Sequence, residues 1–259
     1  MAVPQGRVAA VAEPCPDLGW LKVMSGPHCS IIIPVLNDGK AMMSLLRLLQ
    51  PIRQQGHEIV VVDGGSEDQP AELADGLNDR FLISAPGRAR QMNHAAEHAS
   101  GDIYWFLHAD SQLDVAKGIE AVMSLLDTNK VWGRFDVRLS GRDWRLRIVE
   151  TMMNWRSRLT GIATGDQGIF IRRDAFRQMR GFADIPLMED VAITRSLKRL
   201  SAPLRLRQSI TTSSRRWETR GIVRTILLMW ALRLAYTLGV SPQKLSRYYK
   251  SCSSPMQNS

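Results

Sequence analysis

The stretch IVVVDGGS at residues 59–66 is the clearest indication of the fold of this chain, and IYWFLHAD at residues 103–110 repeats its pattern. Each begins with an unbroken apolar run, which is typical of a strand buried on both faces of a parallel sheet. Each run leads to an aspartate, Asp63 or Asp110. Ligands of open α/β sheets bind at the carboxyl edge of the strands, and an unpaired buried charge is costly. The two stretches therefore predict two functional carboxylates at one sheet edge.

Outward from these stretches, apolar runs alternate with segments of helical periodicity. Further strands are predicted at residues 30–35, 81–83 and 168–171, and helices at residues 42–49, 70–77, 88–99, 117–126, 144–159 and 191–200. Pro51 is expected to end the first helix, and residues 135–139 alternate like an edge strand. This order predicts an α/β fold with a mostly parallel sheet flanked by helices.

The composition suits one globular domain with a small appendage. The chain has 259 residues, 44% of them hydrophobic, and a net charge of +9. Such a charge favours anionic partners, which include nucleotides, nucleic acids and acidic membranes. The three cysteines lack metal-ligand spacing, and residues 1–14 lack the pattern of a signal peptide. A reducing, cytoplasmic location is therefore expected.

The chain is expected to divide into a loosely structured lead-in at residues 1–29, a main domain at 30–221 and an apolar helical segment with a tail at 222–259. Residues 222–240 are almost long enough to span a bilayer, which takes about 20 residues. Arg224 and Arg233 make a span costly, and their spacing puts them on roughly opposite faces of a helix. Three hypotheses stay open for this segment: packing on the domain, docking on the inner face of a membrane, or contact within an oligomer.

Three acidic positions carry the candidate chemistry. Asp63 precedes a Gly-Gly turn that lets the backbone approach a ligand closely, and its carboxylate can accept hydrogen bonds from a base or a ribose. Asp110, two residues after His108, suits a divalent metal with open positions for phosphate oxygens. Glu189 and Asp190 open a predicted helix, where acidic residues are ordinary complements of the helix dipole.

The order of these motifs resembles the family-two glycosyltransferases with the GT-A fold. The resemblance rests on IPVLND at 33–38, VVDGGSED at 61–68, HAD at 108–110 and the Glu189-Asp190 pair. Three further motifs are similar to a bacterial subfamily labelled radical-SAM- or selenodomain-associated transferases: GRARQMN at 87–93, GDQG at 165–168 and RRW at 215–217. The resemblance extends over residues 30–221.

The resemblance implies a metal-dependent, inverting transfer of a sugar from a nucleoside diphosphate, with UDP as the expected nucleotide, to a hydroxyl acceptor that stays open and includes lipids. It implies a nucleotide pocket at Pro34, Asn37, Asp63, Arg90 and Asn93, and a Mg²⁺ or Mn²⁺ site at Asp110 with His108. It also implies Asp190 as the general base with Glu189 as its partner, and sugar or acceptor contacts at Asp166, Gln167, Arg216 and Trp217. Most members carry Asp where this chain has His108, which leaves the identity of the metal open.

Three alternatives accompany this interpretation. HAAEH at residues 94–98 matches the H-x-x-E-H pattern of a zinc peptidase. A nucleotidyltransferase also uses a doubly wound sheet, but a lone Gly39 follows the first strand where a glycine-rich loop is expected. The arginines of residues 142–158 interleave with two tryptophans, a pattern that suits nucleic-acid binding. No nucleic-acid partner is expected under the transferase hypothesis.

Overall fold

The computed structural model describes residues 26–253, which form an α/β fold around one 7-stranded sheet. The strands are β1 (Cys29–Val35), β2 (Glu58–Asp63), β3 (Arg80–Ile83), β4 (Ile103–Phe106), β5 (Trp132–Leu139), β6 (Phe170–Arg172) and β7 (Leu204–Thr212). Their order across the sheet is β3-β2-β1-β4-β6-β5-β7. Only the two pairings of β6 are antiparallel. The predicted fold class, a mostly parallel sheet flanked by helices, is confirmed.

Helices cover both faces of the sheet. They are α1 (Gly39–Gln54), α2 (Pro70–Ala74), α3 (Arg88–His98), α4 (Val115–Met123), α5 (Trp144–Thr160), α6 (Arg173–Gln178), α7 (Glu189–Leu200), α8 (Arg215–Arg220), α9 (Ile222–Thr237) and α10 (Pro242–Ser253). The predicted end of α1 at Pro51 is wrong, since the helix continues to Gln54. Pro51 stands near the end of the helix, where its missing N–H interrupts the hydrogen-bond ladder only once.

The strands that carry the opening motif are buried on both faces, as their unbroken apolar runs predict. On one face Ile59 and Val61 share a core with Leu45 of α1. On the other, Val60 and Val62 pack in a second core that includes α3 and α7. Because β1, β2 and β4 run parallel and lie side by side, their carboxyl ends meet at one edge.

The edge position predicted for residues 135–139 is wrong, because β7 lies outside β5 in the sheet. On its other side, β5 pairs with the short strand β6 only at Trp132 and Gly133. Beyond that point α5 covers the open backbone of β5. Asn154 accepts a hydrogen bond from Val137 N at 2.8 Å and donates one to Val137 O at 3.0 Å. This contact fixes α5 beside the sheet.

The C-terminal helices pack on the sheet domain. Leu232 of α9 and Leu245 of α10 share an apolar cluster with Met188 and Val191 at the start of α7. Ile222, the first residue of α9, packs in another cluster with α5. Among residues 26–253, no helix is both long enough and apolar enough to span a bilayer. The described part of the segment 222–259 therefore reaches the same end of α7 that carries the Glu189-Asp190 pair.

Candidate active site

The loops that follow β1 and β2 are interlocked at the carboxyl edge of the sheet. Asp63 accepts hydrogen bonds from Ser66 N at 3.1 Å and from Ser66 Oγ at 2.5 Å. Asn37, in the left-handed region at φ 54°, donates its N–H to Ser66 Oγ at 2.9 Å and accepts from Glu67 N at 2.8 Å. Asparagine tolerates this conformation better than most residues. The predicted nucleotide residues Asn37 and Asp63 therefore lie together on one rigid rim.

A buried glutamine of α3, part of the GRARQMN motif, supports this rim. Gln91 donates from Nε2 to the carbonyl oxygens of Val35 at 2.7 Å and Val62 at 3.0 Å. A Cβ added at Gly64 would lie 3.0 Å from the Gln91 side chain. The first glycine of the Gly-Gly turn therefore makes room for the amide that holds both strand ends.

Asp110 lies on the loop after β4 and is half-buried. Its contacts are long: Thr212 Oγ1 is 3.4 Å from both carboxylate oxygens, and Ser213 N donates at 3.2 Å. Asp38 is close enough to interact electrostatically. Burial raises the pKa of Asp38, the charge of Asp110 raises it further, and the cation of Arg215 opposes both. This acidic pair fits a hard divalent cation, which prefers carboxylate oxygens and phosphates as ligands.

The ring of His108 is engaged by the turn at residues 165–166. Its Nδ1 lies 3.3 Å from Asp166 Oδ1. A Cβ added at Gly165 would lie 2.6 Å from Nε2. Both ring nitrogens thus face this turn, which favours Asp110 over His108 as the protein ligand of a metal.

The Glu189-Asp190 pair lies at the N-terminal end of α7 and faces the same turn. Asp190 Oδ2 accepts a hydrogen bond from Gly165 N at 2.8 Å. Glu189 is buried, and its Oε1 lies 3.3 Å from Arg88 Nη1. Burial raises the pKa of Glu189 and the charge of Asp190 adds to this, although the Arg88 guanidinium opposes it. Two adjacent carboxylates therefore occupy different environments.

One small pocket joins these groups. Pro34, Arg88, His108, Gly165 and Asp190 are among the residues that line it. They come from the ends of β1 and β4, the first turns of α3 and α7, and the turn at residues 165–167. Asp190, the predicted general base, therefore lies near the carboxyl end of β4, the strand that precedes the predicted metal ligand Asp110.

The structure places other predicted site residues in supporting positions. Arg90 donates from Nε to Asp184 at 2.8 Å, and Asn93 exchanges two hydrogen bonds with the backbone of Phe182. These contacts tie α3 to the loop before α7. Gln167 is fully buried and donates to the carbonyl oxygen of Phe135 at 3.3 Å.

The RRW motif lies on α8, at the boundary between α5 and α9. Trp217 is half-buried and packs in an apolar cluster with Leu146, Val149 and Ile222. The side chain of Arg216 lies outside the described part of the structure. The described contacts thus give Trp217 a packing role in the region where α5 meets α9.

The H-x-x-E-H pattern lies along α3, with Glu97 and His98 exposed and His94 half-buried. The ligand atoms of the three residues lie within 4.8 Å of one another, a spacing that a metal ion could use. His98 Nδ1 already contacts the carbonyl oxygen of His94 at 2.9 Å. The pattern is therefore a local feature of one helix and contributes no residue to the pocket described above.

Comparison with known proteins supports the transferase interpretation. Residues 30–183 match the family model described as Glycosyl transferase family 2. An uncharacterized glycosyltransferase of Mycobacterium tuberculosis (strain CDC 1551 / Oshkosh) is 33% identical over 128 residues, which are 46% of this chain and 49% of the relative. The chain thus spans about half the length of this curated relative.

Two solved structures share the fold at lower identity. One is a mannosyltransferase from Pyrobaculum calidifontis in complex with GDP-Man and Mn²⁺, with 19% identity, a TM-score of 0.58, and coverage of 87% of this chain and 69% of that one. The other is glucosyl-3-phosphoglycerate synthase from Mycobacterium tuberculosis in complex with Mn²⁺, UDP and glucosyl-3-phosphoglycerate, with 18% identity, a TM-score of 0.54, and coverage of 77% of each chain. The likeness confirms the GT-A fold, and because the family model matches more than half of the sequence, this chain belongs to glycosyl transferase family 2.

Proposed function

We propose that this chain transfers a sugar from a nucleoside-diphosphate donor to an acceptor hydroxyl, with inversion at the anomeric carbon. The observation that carries the proposal is the convergence of Asp190, Glu189 and Arg88 with the ends of β1 and β4 around one pocket. Membership of family two and the GT-A fold support the same reaction class. A nucleic-acid partner is not part of this proposal.

The donor nucleotide is proposed to bind at the rim formed by Asn37 and Asp63. Both lie at the carboxyl ends of neighbouring parallel strands, which is where nucleotides bind in open α/β sheets. UDP is the proposed nucleotide, because one of the structural relatives was solved with UDP and Mn²⁺. The complex of the other relative with GDP-Man makes GDP the first alternative to test.

Asp110 is proposed to hold Mg²⁺ or Mn²⁺ beside the donor diphosphate. The long contacts of its carboxylate leave lone pairs for coordination, and the nearby charge of Asp38 makes a cation favourable. When bound, the ion would neutralise the negative charge that develops on the departing nucleoside diphosphate. His108 is proposed to orient the turn at residues 165–166 that carries a hydrogen bond to Asp190.

Asp190 is proposed as the general base. Its Oδ2 is held by Gly165 N and its Oδ1 by Val191 N at 2.7 Å, so the carboxylate has a fixed orientation. A carboxylate oriented in this way can accept the proton of the acceptor hydroxyl as the hydroxyl attacks the anomeric carbon. The bond to the nucleoside diphosphate breaks on the opposite side, which gives inversion.

The protein is further proposed to be cytoplasmic and to associate with the inner face of an acidic membrane. Exposed apolar side chains form one row on α9 and another on α5, two helices that pack against each other through the cluster around Leu146 and Ile222. The members of the rows are Val223, Leu227, Trp230 and Leu234 on α9 with Leu238 directly after it, and Trp144, Ile148, Met152, Trp155 and Leu159 on α5. The net charge of +9 complements acidic headgroups.

The chain is further proposed to divide into a loosely structured lead-in at residues 1–29, a glycosyltransferase domain at 30–221 and a C-terminal helical segment at 222–259. Residues 1–25 of the lead-in lie outside the part of the chain that the structure describes. The described part of the C-terminal segment packs against α5 and α7. Membership of the radical-SAM- or selenodomain-associated subfamily is proposed on the motifs at 87–93, 165–168 and 215–217.

Thermal unfolding with nucleotides tests the proposed function. UDP, GDP and CDP are added at saturating concentration with Mn²⁺, with Mg²⁺ or with a chelator. A ligand at 100 times its Kd stabilises the native state by about 2.7 kcal/mol, so a clear rise in Tm is expected for UDP with metal. In Asp110→Asn, the part of the rise that depends on metal is expected to disappear. A wild-type protein that none of the three nucleotides stabilises would contradict the proposal.

A further inference from the structure

Arg156 of α5 is a half-buried cation whose hydrogen-bonding groups are mostly unused. Its Nε and Nη2 are buried and have no hydrogen-bond partner among the residues that the structure describes. Nη1 donates to the carbonyl oxygen of Ile162 at a long distance of 3.4 Å. A guanidinium offers five N–H donors in a planar fork, and burying these donors without partners is costly.

Arg233 of α9 is a second such cation. Its side chain is half-buried, and within residues 26–253 it forms neither a hydrogen bond nor an ion pair. Burial lowers its pKa, and the carboxylates of Asp190 and Asp166 oppose this change. Arg233 therefore lies within electrostatic range of the proposed general base.

The packing of the chain brings these two cations to one place. Ile162, whose carbonyl oxygen contacts Arg156, belongs to the same apolar cluster as Leu232, the neighbour of Arg233. That cluster also contains Met188 and Val191, which flank the Glu189-Asp190 pair. Burial lowers the pKa of Arg156 to about 10, the charge of Arg233 lowers it as well, and Asp190 opposes both. The guanidinium group of Arg156 therefore lies within electrostatic range of both Arg233 and Asp190.

Two such cations with free donors match an anion of more than one charge. Arginine binds phosphate through two parallel N–H···O hydrogen bonds, and a second arginine would neutralise the second charge of a phosphate monoester. The proposed donor rim is built from the loops after β1 and β2. Arg156 instead contacts Ile162, and Arg233 follows Leu232, and both of these apolar residues belong to the cluster at the start of α7. The anion they fit therefore belongs to the acceptor.

We propose that Arg156 and Arg233 form a subsite for a phosphate group carried by the acceptor. This inference rests on the proposed function, because it names the acceptor class of the same site. The phosphate could be the headgroup of a lipid or part of a small soluble molecule, and both sources present the same charge and the same oxygens to the arginines.

Binding of defined phosphates tests the inference on the full chain saturated with UDP and Mn²⁺. The probes are dodecyl phosphate as the lipid form, glycerol 3-phosphate as the soluble form, and dodecanol as the uncharged control. The variants are Arg156→Gln and Arg233→Gln, with Arg199→Gln as the matched control because Arg199 is exposed at the end of α7. At least one phosphate is expected to bind the wild type and Arg199→Gln. In each of the other two variants its Kd is expected to rise at least tenfold.

The affinity for UDP, measured on the same samples, shows whether the variants remain folded and separates the two proposals. It is expected to stay within about twofold of the wild type in every variant, a difference well below the 1.4 kcal/mol of a tenfold change. Three results would overturn the inference. Both variants could retain phosphate binding, or their affinity for UDP could fall as far as their affinity for phosphate. The third result is a UDP-bound wild type that binds neither phosphate. A wild type that binds phosphate through these arginines but fails to bind UDP would count against the proposed function and leave the phosphate subsite standing.

Discussion

At the scale of single residues, the site separates two adjacent carboxylates by their surroundings. Glu189 is buried beside the Arg88 guanidinium, while the half-buried Asp190 is held by two backbone N–H groups. Carboxylates whose environments differ in this way can take different roles in one reaction. Glu189 is suited to position Arg88 and the start of α7, and Asp190 is suited to accept a proton.

The substitution Asp190→Asn removes the proposed base and retains its shape. Sugar transfer is expected to fall by a factor of about 10² to 10⁴, since this is the range for general base catalysis. The rise in Tm with UDP and Mn²⁺ is expected to remain. Asp127→Asn is the matched control, because Asp127 is exposed, precedes β5 and is not among the residues that line the pocket. Loss of both transfer and UDP binding in Asp190→Asn would instead indicate a role in folding.

The raised pKa of Glu189 predicts a pH-dependent cost of keeping this carboxylate buried. Its ordinary value is 4.5, so above this pH the unfolded chain releases the proton before the native protein does. In that window the native state binds more protons, and its stability falls as the pH rises. Glu189→Gln removes the titration. The Tm of the variant relative to the wild type is therefore expected to increase from pH 4.5 toward 7, and a constant difference would contradict this.

Gly165 is expected to matter for activity more than for stability. A Cβ at this position would lie 2.6 Å from His108 Nε2, so the ring has to move. The ring is the far end of a side chain and can give way, but its contact with Asp166 would be lost. Gly165→Ala is expected to lower kcat at least tenfold with a small change in Tm. Gly26→Ala, where a Cβ would meet nothing within 4 Å among the described residues, serves as the control for both measurements.

Some site residues could be predicted from the sequence and others could not, for a geometric reason. Asp63 and Asp110 follow apolar strands, and parallel strands end at one edge, so the sequence predicts their common location. Arg88 and Arg90 are two positions apart in a helix, about 200° around its axis, and only Arg88 lines the pocket. Arg156 and Arg233 come from helices that meet α7 only through tertiary packing, which no local spacing encodes.

At the scale of elements, the core strands were predictable because burial on both faces leaves a continuous apolar run. Strand β7 was missed, although Leu204 and Leu206 alternate with arginines in it. This strand lies at the edge of the sheet, so much of its sequence is polar and resembles a loop. The strand contributes to the site through a tertiary contact, because its last residue, Thr212, contacts Asp110.

The exposed row on α9 predicts binding to acidic membranes. Burying a leucine or a similar side chain contributes about 1.5–3 kcal/mol, so three members of the row are enough for measurable binding. The combined variant Leu227→Ser, Trp230→Ser, Leu234→Ser is expected to sediment at least tenfold less with vesicles that contain an anionic lipid. Ile83→Ser removes an apolar side chain of β3 that is 73% exposed, more than any of the three, and is expected to have no effect.

Vesicles of neutral lipid and added salt separate the two parts of this interaction. Neutral vesicles are expected to bind the wild type more weakly, because the attraction of the basic chain to the headgroups is lost. Salt is expected to reduce binding to anionic vesicles for the same reason. Equal sedimentation of the wild type and the combined variant under all conditions would refute membrane docking through α9.

For the whole molecule, we expect the proposed boundary at residue 221 to separate motifs but not folding units. The match to the family ends at residue 183, yet α9 and α10 supply Leu232 and Leu245 to the cluster that contains Met188 and Val191. The pair of carboxylates at the start of α7 is thus held in place by helices that follow the catalytic motifs. The C-terminal segment is for this reason part of the architecture of the site.

A chain that ends at Gly221 is therefore expected to lose both stability and phosphate binding. Removing a buried leucine costs about 2–5 kcal/mol, whereas a whole domain is stable by only about 5–15 kcal/mol. Loss of Leu232 and Leu245 together is expected to lower Tm by more than 10 °C or to abolish cooperative unfolding. A chain that ends at Ser253 keeps all of α10 and is the control. If the shorter chain melts cooperatively near the Tm of the control and still binds UDP, residues 30–221 fold independently and the contribution of α9 to the site is limited to Arg233.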